Sequence, residues 1–165
     1  MIEERYELAL DRIRLMQTED TVGEPYRDYF KKLAEFVLML DELRTELLDG
    51  RYQKLELDEL RKWNRRLYQD VLPGQYEKSY ANPDYACKML GKESGQILGM
   101  LYAELRGAVV YVFEGKTEYL AILYELLIEV YNQFEEEPDP KAVRDTFYWY
   151  ATVSYTHLRA HETPE

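Results

Sequence analysis

Gly91-Lys-Glu-Ser-Gly-Gln-Ile-Leu-Gly-Met-Leu-Tyr-Ala-Glu-Leu-Arg-Gly107 is the stretch on which the fold turns. Gly91, Gly95, Gly99, Ala103 and Gly107 recur at every fourth position, which on an α-helix makes one continuous row. A row with little or no side chain lets another backbone come close, and rows at this spacing are ridges along which helices pack. Each interior glycine costs a helix about 1 kcal/mol relative to alanine. Three of them therefore predict close packing that offsets the cost. Leu98, Leu101, Leu105, Val109 and Val112 run beside the row. The helix, about 91–114, is expected to be buried on most of its circumference, with the others laid around it.

On either side of this stretch the pattern is helical throughout. Tyr6, Ala9, Leu10, Ile13 and Met16 share one face of a helix over 2–17. Pro25 opens a second helix, apolar at Tyr26, Tyr29, Phe30, Leu33, Phe36, Val37, Leu40, Leu43 and Leu47 and ended by Gly50. A third is expected over 57–71, with Leu55 and Leu60 placed as a hydrophobic staple and Pro73-Gly74 as the stop. Tyr76 to Ala81 reads as loop or short helix. Asn82-Pro83 is a helix start, and the helix it opens either breaks at Gly91 or continues toward Gly115. Thr117 is expected to cap a helix over 118–134, and Asp139-Pro140 to open the last one through Val143, Phe147 and Tyr150. With no strand pattern and no internal repeat, the fold class is all-α, a multi-helix bundle.

Residues 153–165 read differently. Val153-Ser-Tyr-Thr-His-Leu-Arg-Ala-His-Glu-Thr163 is similar to one reading frame of the transposon-end adapter used in preparing DNA libraries. The expectation is a helical domain over 1–152, cut off near Thr152, followed by a non-native, adapter-like tail over 153–165. Both histidines, His157 and His161, lie in that tail at an i, i+4 spacing that otherwise invites a zinc site. The first 152 residues contain none.

Composition narrows the function classes. A chain of 165 residues with 46% apolar side chains can bury a core, and 32% charged residues with few Pro and Gly argue against disorder. The net charge of −11 disfavours nonspecific binding to nucleic acid or to anionic membranes. Cys87 stands alone, so no internal disulfide forms and a reducing compartment is expected. Met-Ile-Glu-Glu-Arg-Tyr-Glu at the start has no secretory layout, and Glu104 and Arg106 interrupt the most apolar run, so no membrane span and a cytoplasmic location are expected.

Few residues suggest chemistry. Glu118, Glu125 and Glu129 fall on one side of a helix, as in carboxylate metal sites, yet opposite its apolar face and without a native histidine, so a solvated face is expected. Arg61, Lys62, Arg65 and Arg66 surround Trp63, a basic patch that alone suggests nucleic acid; in so acidic a chain, ion pairing within the protein is the expectation. Arg106 falls between Tyr102 and Gly107, toward the packed side, as a structural ion pair across helices or an anchor for another part of a longer protein. Cys87 has no histidine to serve as its base, and no phosphate-binding glycine loop is present. The sixteen tyrosines, mostly beside leucines, suit half-buried faces that another domain could cover.

Glu24-Pro-Tyr-Arg-Asp-Tyr-Phe30, Ala81-Asn-Pro-Asp-Tyr-Ala86, Tyr102-Ala-Glu-Leu-Arg-Gly-Ala108, Leu123-Tyr-Glu-Leu-Leu-Ile-Glu-Val-Tyr-Asn132 and Val143-Arg-Asp-Thr-Phe-Tyr-Trp-Tyr150 together resemble the N-terminal region of bacterial leucyl aminopeptidases of the aminopeptidase T type. The resemblance spans essentially residues 1–152. It implies a divalent-metal centre of carboxylates and histidines that activates water against N-terminal peptide bonds, placed in a later part of the longer protein. No catalytic, cofactor or metal residue carries over to this chain. The implied role is a helical accessory region whose partner is the downstream domain of the same protein, with a homo-oligomer also open and neither nucleic acid nor membrane expected. The other reading is a non-enzymatic helical interaction module, with Gly91, Gly95, Gly99, Ala103, Gly107 and Arg106 as its structural or interface residues.

Overall fold

A computed structural model describes residues 1–50, 56–136 and 139–162, with the backbone alone over 153–162. In α1 (Ile2–Met16) the five apolar residues of the expected face are all buried. The cis Glu24–Pro25 bond precedes α2 (Tyr26–Leu48), whose apolar middle buries Phe36, Val37 and Leu40 and leaves Leu38 and Met39 half-buried. α3 (Leu57–Leu67) buries only Trp63 and Leu67. The chain then tightens into two single 3-10 turns, Gln69–Val71 and Tyr76–Lys78, so the third helix is shorter than its sequence pattern. Leu55 of the expected staple lies outside the described residues.

α4 (Pro83–Leu90) starts as expected, with the Asn82 side chain accepting from the Asp84 N–H at 3.0 Å and Pro83 in the first turn. Gly91, at φ 90°, turns the chain into α5 (Lys92–Gly107). The glycine-row helix does not run unbroken to Gly115. The Ala108 N–H bonds the Leu105 carbonyl at 3.2 Å, a 3-10 step, before α6 (Val109–Phe113) begins. Gly107 followed by the β-branched pair Val109-Val110 is a weak point in helix propensity.

α7 (Thr117–Glu135) follows the turn at Gly115, φ 70°. Its N-cap is Lys116, with no side-chain cap bond. Thr117 is instead the first helical residue, and its Oγ1 accepts from Arg44 at 3.3 Å. α8 (Pro140–Glu162) starts where the sequence places it, with the Asp139 carboxylate accepting from the Lys141 N–H at 3.1 Å.

The result is all-α, a bundle with no strand among the described residues. α1 lies along α7 in parallel: Arg5 pairs with Glu125, and Arg12 reaches Glu135 at 3.0 Å. α7 and α8 form an antiparallel pair, as do α4 and α5, and α2 touches α1, α3, α5, α6 and α7. Leu98, Leu101 and Leu105 of α5 are fully buried, as are Leu127 and Val130 of α7 and Leu33, Val37 and Leu40 of α2, so the centre is shared by three helices. Each such leucine contributes about 1.5–3 kcal/mol by leaving water.

Among the described residues one stretch, Lys92–Phe113, is long and apolar enough by length and composition to cross a membrane, with an 18-residue window of mean hydropathy 1.2, despite Glu104 and Arg106. In this structure it is divided at Ala108, and its leucines pack against the rest of the bundle.

Candidate functional site

The small-residue row divides into an inner and an outer part. At Gly95 an added Cβ would stand 2.6 Å from the Cys87 Cα and 2.7 Å from the Ala86 carbonyl oxygen. Only glycine lets α4 and α5 meet that closely. At Gly99 the nearest neighbours are the Ala86 Cβ at 3.8 Å and the Tyr80 carbonyl oxygen at 3.9 Å, ordinary contact. Gly91 serves the turn, with nothing within 4 Å of an added Cβ. Gly107 is equally open, and Ala103 is exposed.

Gly95, Gly99 and Ala103 of the row, but neither Gly91 nor Gly107, line a groove of about 590 Å³ between α4, α5 and α8. Cys87, Gly99, Met100, Ala103, Arg144 and Tyr148 line it. Met100 of α5 and Tyr148 of α8 are both exposed apolar side chains. The Cys87 sulfur lies 3.7 Å from the Lys92 carbonyl oxygen, and among the described residues no basic side chain is bonded to it. The groove can receive an apolar side chain or a helix ridge. It holds no pair of groups suited to proton transfer.

Arg106 reaches the 3-10 segment after α3. Its Nε lies 3.4 Å from Asp70 Oδ1, an ion pair at an angle that makes no hydrogen bond, and its guanidinium sits 4.9 Å from the centre of the Tyr68 ring. Asp70 is the hub: its Oδ2 accepts from Tyr102 Oη at 2.7 Å and from Ser79 Oγ at 2.9 Å. Burial first, then the bond to Asp70, pushes the Tyr102 phenol above its ordinary value, so it stays a neutral donor. This arrangement joins the α3–α4 connection to α5, the structural ion-pair reading of Arg106.

The sequence pattern did not single out Asp70 or Arg44. Arg44 is buried on α2, donates to Glu3 at 2.9 Å and lies 4.2 Å from the Tyr6 ring centre, tying together α1, α2 and α7. Its signal was a cation on the apolar stripe, four residues beyond Leu40 and seven beyond Val37. Asp70 gave no such signal.

Of the glutamates on α7, Glu125 pairs with Arg5, on which Glu118 also acts, and only Glu129 of the three is exposed, so the face is partly covered by α1 rather than wholly solvated. Among the described residues no three His, Cys, Asp or Glu side chains stand close enough to share an ion. The side chains of His157 and His161 lie outside the described residues. Comparison of the chain with protein-family models, with curated proteins and with solved structures finds no match in any of the three.

Proposed function

We propose that this chain is the N-terminal helical accessory region of a metal-dependent leucyl aminopeptidase, and that its groove on α5 receives the downstream catalytic portion. The observation that carries the docking role is the groove itself, whose small-residue floor and exposed Met100 and Tyr148 walls fit a helix ridge. The peptidase part rests on the resemblance of the five quoted segments. A metal centre does not fit on the described residues, so no hydrolytic step is assigned to them. The same groove favours a second reading, a non-enzymatic interaction module that binds a separate protein.

The test begins with the uninterrupted reading frame. A following domain with a histidine–carboxylate cluster supports the first reading, whereas a stop codon just after Tyr150 rejects it in favour of the second. Given such a domain, the two parts expressed separately should associate, and Ala103→Trp, which fills the groove, should weaken association roughly tenfold or more with helicity unchanged. Equal binding by Ala103→Trp removes the groove from either reading.

A further inference from the structure

Of the four basic residues of α3 expected to pair within the protein, Arg66 does so by contact, and the charge of Lys62 also acts on the same carboxylate, Glu42, from beyond ion-pair distance. Arg66 is fixed by Glu42 through two hydrogen bonds, 2.9 and 2.7 Å, with its guanidinium 5.2 Å from the Trp63 ring centre. Arg61, Lys62 and Arg65 are exposed, and among the described residues no carboxylate lies within ion-pair distance of any of them.

These cations are arranged as a stripe. Arg61–Arg65 and Lys62–Arg66 are i, i+4 pairs, about 6 Å apart on one helix face. Together with Asp58, Gln69 and Leu72 they line an open cleft of about 1010 Å³. α3 meets the bundle chiefly through Trp63 and Leu67, so the stripe faces away from the core.

We infer that this stripe is a docking site for a short acidic peptide segment of a partner protein. Guanidinium forks match carboxylates in pairs. Carboxylates four apart on a helix, or alternating on a strand at about 7 Å, reproduce the spacing of the stripe. The partner must be short in charge as well as in length. The chain carries −11 overall, so a long polyanion such as nucleic acid that overruns α3 meets like charge. A second copy brings the same excess negative charge and is disfavoured for the same reason.

The experiment is fluorescence anisotropy on the full chain, with a fluorescein-labelled helical peptide bearing glutamates at i and i+4, and with single-stranded DNA of equal length. The peptide should bind, and binding should weaken several-fold between about 50 and 200 mM salt. The triple variant Arg61→Glu, Lys62→Glu, Arg65→Glu should lose binding roughly tenfold or more while keeping its circular dichroism spectrum, because none of the three is buried. The single variant Arg65→Ala should give an intermediate loss and stands in if the triple variant misfolds. Peptide binding unchanged by both variants, DNA bound more tightly than peptide, or no peptide binding at the lower salt overturns the inference. So does self-association of the chain that the triple variant abolishes in the absence of peptide, since a second copy is then the occupant.

Discussion

Gly95 and Gly99 are one turn apart on the same row, yet they make opposite demands on a methyl group. Gly95→Ala places a Cβ against two backbone groups that cannot rotate away, and is expected to cost about 1–3 kcal/mol of unfolding free energy. Gly99→Ala meets only ordinary contacts and should gain up to about 1 kcal/mol from helix propensity. Paired denaturant titrations check both, and equal stability of the two variants would refute the close-approach argument. Asp70→Ala removes the acceptor shared by the buried hydroxyls of Tyr102 and Ser79, which can then bond only each other, and should cost about 1–3 kcal/mol. Arg106→Met leaves Asp70 with both hydroxyl donors and should cost less. A larger loss for Arg106→Met in thermal melts would mean that the guanidinium, and not the carboxylate, holds this junction.

At the level of helices, the Asn82 cap of α4 and the first residue of α7 can be told apart. Asn82→Ala removes the bond to the Asp84 N–H and should cost about 1 kcal/mol. Thr117→Ala removes a contact from Arg44 but no cap, so Ala's helix propensity should offset part of that loss. Chemical denaturation that showed the reverse order would reject this assignment. Helix existence and the buried faces were legible because three- and four-residue spacing records burial directly: every residue expected on the α1 face is buried. The ends were less legible. α3 stops at Leu67, and the chain enters a 3-10 turn over Gln69–Val71 that places Asp70 within reach of Tyr102, a long-range bond with no local sequence signal. The row of small residues was legible as a row. Which part of it faces a neighbour depends on how α4 folds back at Gly91, and periodicity does not contain that information.

For the molecule as a whole, the tyrosines set the response to alkali. Burial first raises the phenols of Tyr29, Tyr102 and Tyr124 above the ordinary value of 10.0. Above that pH the unfolded chain loses phenolic protons that the folded chain keeps, so stability falls as pH rises through the window above 10.0. Below it their contribution is complete. Tyrosinate absorbance and helical ellipticity should therefore change together in a steep alkaline transition. Full ionisation with helicity retained would contradict it. A peptidase assay on this chain with added zinc, cobalt or manganese should show no turnover, and robust metal-dependent cleavage would overturn both proposed functions.

The parallel seating of α1 along α7 has a consequence for biosynthesis. Arg5 and Glu125 are 120 positions apart, so the first helix to leave the ribosome waits for nearly the last before its long contact surface exists. Until then the oily side of α1 has chiefly α2 as shelter. A nascent chain arrested before Thr117 should therefore present Tyr6, Leu10 and Ile13 to chaperones, and one released after α7 should not.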